Sequence, residues 1–233
     1  MSIKNLRIPS TKVQVIILGA GQSERLKAYE PRPLIKIGGT TILERQIEAV
    51  SKYFSQCEFI FVGGIERGKM LSGLPPGVRF VENQLYETTN NVESLRLGIN
   101  NSQYGNILFL HGDLFISTHF FKYFDHSKTC IPIDEEYQIR KEEVGVTVID
   151  SVASCLEYTL RPKWCQMAYF NETDTKILRS VINDIPNVDT MLSYELINYM
   201  ISHYHIKFNC IPVKNKTIKE IDSLKDLIND AAS

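Results

Sequence analysis

The chain has 233 residues, with 26 Lys plus Arg against 27 Asp plus Glu and a formal net charge of −1. That length suits one large domain with its own core, and the charge balance excludes the positive excess that a nucleic-acid sleeve or a polybasic membrane binder needs. Five scattered cysteines without a CxxC pair (Cys57, Cys130, Cys155, Cys165, Cys210) exclude a disulfide framework and a tetrahedral zinc site, and no apolar run approaches the ~18 residues of a membrane span. Residues 1–11 read as a flexible lead-in and 12–233 as a single domain. The polar opening MSIKNLRIPSTK and the cysteine usage together suggest a reduced, cytoplasmic protein. Val13–Leu18 (VQVIIL) is a short apolar run closed by Gly19-Ala20-Gly21, the pattern of a strand buried on both faces. Thr41 to Phe54 has helical spacing, Glu58–Val62 is strand-like and ends at Gly63-Gly64, and Val78–Val81 is a shorter strand. Val92 to Ile99 is predicted helical, and Asn106 to Leu110 is a strand running into His111-Gly112-Asp113. Further on, Val144–Ile149, Gln166–Phe170, Phe208–Val213 and Lys219–Ile221 are strand-like. Asp189 to His203 carries a helical stripe, and Ser223–Ala231 is a closing helix.

Strands alternating with helices over the first half imply an α/β fold with a mostly parallel sheet and helices on both faces, the second half adding strands to one edge. Ligands of such sheets bind at the carboxyl ends of the strands. The loop from Gly19 to Arg25, the Gly63-Gly64 pair and His111-Gly112-Asp113 all fall at that edge, and Glu220-Ile221-Asp222 joins them if its strand runs the same way. The first loop is not a dinucleotide fingerprint, because Glu24 stands where a third glycine is needed and the second strand ends without an acid. It is not a GxxxxGK[ST] loop either. The cations Arg25, Arg32 and Lys36 follow it closely. Glycines admit a polyphosphate to the backbone and its N–H groups, and cations beyond them neutralise charge that develops in phosphoryl chemistry.

LGAGQSERLKAYEPRPLIKIGGTTILE is similar to the opening of the NTP-dependent nucleotidyltransferases, LAAGxGxRL…PKPLLxxxGxxxLE. The segment ENQLYETTNNVESL, from Glu82, resembles the NPxYxxTNNxxSL of the phosphocholine cytidylyltransferase-like and sugar-1-phosphate enzymes. The Gly112-Asp113 pair and the EIDSLKDL that starts at Glu220 resemble two further blocks, so four blocks occur in order between Val13 and Leu227. The resemblance implies a Rossmann-like, mixed sheet of nucleotidyltransferase type. It also implies Mg2+-dependent transfer of a nucleotidyl group, CMP favoured, from an NTP to a phosphorylated small molecule, with release of pyrophosphate. Phosphocholine, an amino-acid phosphate or a sugar phosphate would be the acceptor. No nucleic-acid or membrane partner is expected, and the oligomeric state is left open. Nucleotide contacts fall on Leu18, Gly19, Ala20, Gly21, Asn83, Asn90, Asn91 and Ser94. Arg25, Arg32 and Lys36 carry the phosphate chemistry, and Asp113 and Asp222 hold the Mg2+, a metal that prefers carboxylate and phosphate oxygens.

The chain departs from the pattern in two places. Arg32 stands where the family has lysine, and a planar fork does not replace a compact ammonium exactly. The segment between Leu26 and Pro31 is shorter than in sugar-type members and looks more like the molybdenum-cofactor and methylerythritol-cytidyl branches. A non-catalytic nucleotide sensor or scaffold, suggested by Arg32, and an NAD(P) oxidoreductase are the alternatives. Each site residue also has a plain structural role open to it. Asp113 and Asp222 suit turns or helix starts, and Asn90, Asn91 and Ser94 suit caps. His111 reads as a strand-end hydrogen-bonding residue, because a phosphate monoester with its second pKa near 6 needs no base. Glu220 reads as an orienting residue. Arg161, Lys163 and Glu195 are offered for an acceptor pocket, with solvated surface charge as the alternative, and the cysteines read as small core residues.

Overall fold

The structure is a computed structural model that describes residues 11–21, 31–213 and 217–221. In chain order its strands and helices are β1 (Lys12–Gly19), β2 (Lys36–Ile37), β3 (Thr40–Thr41), α1 (Ile42–Tyr53), β4 (Gln56–Gly63), α2 (Arg67–Gly73), β5 (Val78–Glu82), α3 (Asn91–Asn100), β6 (Asn106–His111), β7 (Leu114–Ile116), β8 (Cys130–Asp134), β9 (Val144–Ile149), β10 (Val152–Tyr158), β11 (Lys163–Trp164), β12 (Met167–Phe170), α4 (Glu172–Val181), α5 (Ser193–Tyr204), β13 (Asn209–Pro212) and β14 (Ile218–Glu220).

The apolar runs at Val13 and Phe59 become β1 and β4 at the middle of the main sheet, whose order is β11-β9-β10-β13-β8-β12-β6-β1-β4-β5. From β6 to β5 every neighbour is parallel. Beyond β6 antiparallel pairs dominate, with β12 against β6 and β9 against β10. The sheet is therefore mixed rather than mostly parallel. The reason lies in its connections: β9 and β10 are joined by a tight turn at Asp150-Ser151, too short for the crossover that a parallel pair requires. Within the main sheet the strands that follow β6, from β8 to β13, all lie on its β6 side, the single-edge growth expected for the second half, while β7 and β14 stand apart from it.

Side chains alternate across β1. Ile16 and Leu18 join an apolar cluster that includes Val92, Leu95 and Ile99 of α3, Leu178 of α4 and Met200 of α5. Val13, Val15 and Ile17 join a second cluster with Leu43 and Val50 of α1, Met70 of α2 and the rings of Phe120 and Phe121. Helix α1 starts where Thr41 and Glu44 close a capping box: the Glu44 N–H donates to Thr41 Oγ1 at 3.1 Å and the Thr41 N–H to Glu44 Oε2 at 2.7 Å.

Lys219–Ile221 does not extend the main sheet. β14 pairs antiparallel with β7 in a separate two-stranded sheet. The helix Ser193–Tyr204 starts four residues later than the Asp189 predicted, after a loop, and the expected closing helix over 223–231 lies outside the described residues, as does most of the lead-in. Among the described residues no helix is long and apolar enough to cross a membrane.

Candidate active site

The register of the parallel strands brings the expected loops side by side. Gly19 pairs with Gly63, and Leu18 with His111, so β1, β4 and β6 end at one level. The Gly112 N–H donates to the Leu18 carbonyl at 2.8 Å. A Cβ on Gly112 would lie 3.1 Å from that oxygen, 3.1 Å from Pro33 Cγ and 3.3 Å from Gly19 Cα. Glycine lets the Asp113 turn, the end of β1 and the Pro33 turn meet this closely, and a Cβ would press tightly on Leu18, Pro33 and Gly19.

These elements border a cleft of about 380 Å3 lined by Leu18, Gly19, Ala20 and Gly21 on one side and by Asn83, Asn90, Asn91 and Ser94 on another. Arg32 and Asp113 face each other across its floor, with Arg32 Nη1 donating to Asp113 Oδ2 at 2.6 Å. The other carboxylate oxygen, Asp113 Oδ1, is buried with no hydrogen-bond partner among the described residues. Burial, and then the charge of Glu220, raise the Asp113 carboxyl above the ordinary range, against the pull of Arg32. A hard oxygen left open in a polar cleft suits a divalent cation.

Asn83 is buried and holds the neighbouring wall together. Its amide donates to Thr89 Oγ1 and to Ser94 Oγ, both at 3.1 Å, and its Oδ1 accepts from the Leu85 N–H at 3.0 Å. Asn90 takes the N-cap position of α3 without a side-chain cap, its amide donating instead to the Thr190 carbonyl. Asn91 opens α3 with its Oδ1 buried and unpartnered among the described residues, beside the cleft.

A second chamber, about 430 Å3, continues from the first, and Arg32, Asn91, His111 and Leu192 line both. Its far wall holds Lys163, 9% exposed, between Glu143 at 2.8 Å and Glu220 at 3.1 Å, with the Tyr137 ring 4.2 Å from Nζ. Burial opposes the Lys163 charge, but Glu220 and Glu143 outweigh it and hold the amine above its ordinary value. Burial likewise pushes the Glu143 and Glu220 carboxyls up, and Lys163, with other hydrogen-bond partners, holds both below the usual range. Burial drives the His111 imidazole down to about 4, against the charge of Glu220, and its Nε2 lies 3.2 Å from Ser193 Oγ.

The structure thus places Leu18–Gly21, Arg32, Asn83, Asn90, Asn91, Ser94 and Asp113 around one cleft. It does not bring Lys36 there. Lys36 is exposed on β2, whose hairpin with β3 turns at Gly38 and Gly39 with φ of 60° and 87°, and it does not line the cleft. Arg25 and Asp222 lie outside the described residues; Ile221, just before Asp222, donates its N–H to the Asp113 carbonyl at 2.9 Å. Of the residues offered for an acceptor pocket, Lys163 lines the second chamber. Glu195 instead accepts from the Leu192 N–H at 2.6 Å at the start of α5, and Arg161 donates to Gln138 Oε1 at 3.4 Å on the surface. Gln46, Glu143, Tyr137 and Gln166 were not singled out from the sequence. Buried glutamine in an otherwise apolar helix face is the one local signal Gln46 offers, and partners distant in the chain hide the rest.

The molecule has a mixed α/β fold of nucleotidyltransferase type, with the cleft at the carboxyl edge of its parallel strands. Residues 15–128 match the family model of the MobA-like NTP transferase domain. The chain is 33% identical over 108 residues to the bifunctional protein GlmU of Gloeobacter violaceus, a stretch that makes up 45% of this chain and 23% of that protein. It therefore spans about a quarter of that relative's length. The inositol-1-phosphate CTP transferase from T. maritima superposes with a TM-score of 0.76 at 13% identity, over 97% of this chain and 98% of that one. The CTP:phosphocholine cytidylyltransferase from Streptococcus pneumoniae gives 0.74 at 18% identity, over 95% and 98%. These likenesses establish the fold, and with the domain match they bear out the resemblance to NTP-dependent nucleotidyltransferases read from the motifs.

Proposed function

We propose that the protein is a Mg2+-dependent nucleotidyltransferase that moves a nucleotidyl group, CMP favoured, from an NTP to a phosphorylated small molecule. The observation that carries this reading is the convergence of the glycine loop after β1, Arg32 and Asp113 on one cleft, within the segment that matches a transferase domain. The parallel half of the sheet acts as a Rossmann-like nucleotide-binding half. Main-chain N–H groups of Gly19–Gly21 cradle the triphosphate, Arg25 is assigned to neutralising its charge, and Asn83, Asn90, Asn91 and Ser94 face the nucleoside. The acceptor, a phosphocholine-like, amino-acid or sugar phosphate, occupies the second chamber with its phosphate near Arg32. The compartment is cytoplasmic.

An oxygen of the acceptor phosphate attacks the α-phosphorus in line. A new P–O bond forms as the bridge to the β-phosphate breaks, and pyrophosphate leaves with the electron pair. Arg32 steadies the negative charge on the α-phosphate and acceptor oxygens. The acceptor is anionic already at neutral pH, so His111 takes no proton and serves to pack the chamber wall. Asp113, through its open Oδ1, and Asp222 would hold a Mg2+, which neutralises phosphate charge when bound. Lys36 stands outside this scheme.

Pyrophosphate release, measured with each NTP against a panel of phosphorylated acceptors, tests the reading. Mg2+-dependent release with CTP and one acceptor is the expected result. Tight NTP binding without release from any pair would favour the non-catalytic nucleotide binder, the second reading that the Arg32–Asp113 ion pair supports. NADH binding without NTP binding would favour an oxidoreductase.

A further inference from the structure

We infer that Gln46 of α1 is a positioning residue for Asp113, an inference that rests on the transferase reading above. Gln46 is 0% exposed, and its side-chain amide donates to the His111 carbonyl at 2.9 Å and to the Leu114 carbonyl at 2.8 Å. Both partners can only accept, so chemistry alone orients the amide with its nitrogen toward them. The two carbonyls bracket Asp113, and Gln46 closes the turn that carries the carboxylate as a clasp closes a loop. Other main-chain contacts of that turn run to separate segments: His111 to Gln166, Gly112 to Leu18, and Asp113 to Ile221.

The clasp also ties the two halves of the cleft floor together. Helix α1 follows directly on the Arg32–Leu34 turn and the β2–β3 hairpin, and its start is held by the Thr41–Glu44 capping box. Arg32 and Asp113, far apart in sequence, therefore reach their 2.6 Å contact from one scaffold: Arg32 from the turn before α1, Asp113 from a turn that α1 grips. Among the described residues the side-chain hydrogen bonds of Gln46 run to the main chain alone. Residues that orient a carboxylate in this indirect way commonly change metal affinity or activity by about 10–100-fold when replaced.

A matched control exists in the same molecule. Gln14 of β1 is also 0% exposed, and its amide donates to the Glu58 carbonyl at 3.0 Å, toward the opposite end of the strand from Gly19. Gln46→Met and Gln14→Met each delete a buried amide at nearly constant volume. Mn2+ binding is followed by electron paramagnetic resonance in the full chain without nucleotide, alongside kcat and KM for CTP in Mg2+-dependent pyrophosphate release. Gln46→Met is expected to weaken Mn2+ binding and lower kcat by about tenfold or more, with KM for CTP within about threefold. Gln14→Met is expected to lower the melting temperature while leaving Mn2+ binding and kcat within about twofold. Should Gln46→Met fail to fold, Gln46→Glu keeps the shape and is measured instead, with the same loss expected, because a carboxyl held protonated by burial can donate to only one of the two carbonyls. Asp113→Asn calibrates the scale. If Asp113→Asn loses Mn2+ binding and the folded Gln46 variant behaves as wild type, the positioning role is overturned and the transferase reading stands. If wild type neither binds Mn2+ nor releases pyrophosphate, the transferase reading fails and this inference falls with it.

Discussion

Replacing Lys163 with methionine leaves Glu143 and Glu220 facing one another's field with their common counterion gone. Lys163 is 9% exposed, and the paired side chains are 13% and 18% exposed, so solvent cannot restore the lost charge cheaply. Removing one partner of a buried ion pair costs about 3–5 kcal/mol. For a chain of this size each kcal/mol moves the melting temperature by about 2–4 °C, which puts the expected drop near 10 °C at pH 7.5. The pH dependence separates charge from packing. In wild type Lys163 holds both carboxyls low in spite of burial, so their stabilisation is present above the unfolded glutamate pKa and is lost as pH falls through the folded values. In the variant burial is opposed by the remaining partners, the Arg140 N–H and Tyr137 at Glu143 and Gln166 at Glu220, so both carboxyls rise, and the folded form gains stability relative to wild type as pH falls. Thermal unfolding of both proteins from pH 7.5 to 5 should show the gap shrinking by about half or more. A gap that stays constant across that range would refute the electrostatic account and leave only the lost contact with Tyr137.

Gly112→Ala should cost about 1–3 kcal/mol by crowding Leu18, Pro33 and Gly19, and should lower kcat beyond its effect on stability; Gly68→Ala, where an added Cβ meets nothing within 4 Å, should be neutral or stabilising, and equal behaviour of the two would refute the close-approach argument. His111, held near 4 in the folded state, should show ring-proton NMR shifts that are constant from pH 8 to 5.5. Its folded pKa is depressed, so its contribution to stability is complete above the unfolded value of about 6.5 and is lost as pH falls from there toward 4; a midpoint between 6 and 7 in the native spectrum would contradict the burial assignment. Asp113→Ala should abolish Mg2+-dependent pyrophosphate release while the far-ultraviolet circular dichroism stays native, and activity surviving within a few-fold would remove Asp113 from the metal site.

The parts of the fold that were legible from the chain are those whose signal is local. β1, β4 and β6 are mainly apolar runs, the first two ending at glycine and the third running into His111-Gly112, and Thr41 with Glu44 spells out a helix start within four residues. Less legible were β8, where Pro132 interrupts CIPID, and α4, where only Ile177, Leu178 and Val181 are apolar among polar residues and the helix rests on an Asn171 cap. The cleft could be anticipated because strand ends and glycine loops mark it in sequence. The second chamber could not. Its ion-pair triad joins Glu143, Lys163 and Glu220 through three separate elements, and no spacing rule links them. Lys36 shows the converse: proximity in sequence to Arg32 suggested a shared site, yet Lys36 is exposed on a short hairpin strand and does not line the cleft.

The most direct measurement is a crystal of the full chain grown with Mn2+ and a non-hydrolysable CTP analogue, read by anomalous scattering. The account predicts a manganese peak against the Asp113 carboxylate, with the triphosphate lying over the main-chain N–H groups of Gly19–Gly21. A nucleotide bound elsewhere, or a cleft holding the analogue with its phosphates turned away from Asp113 and Arg32, would contradict it.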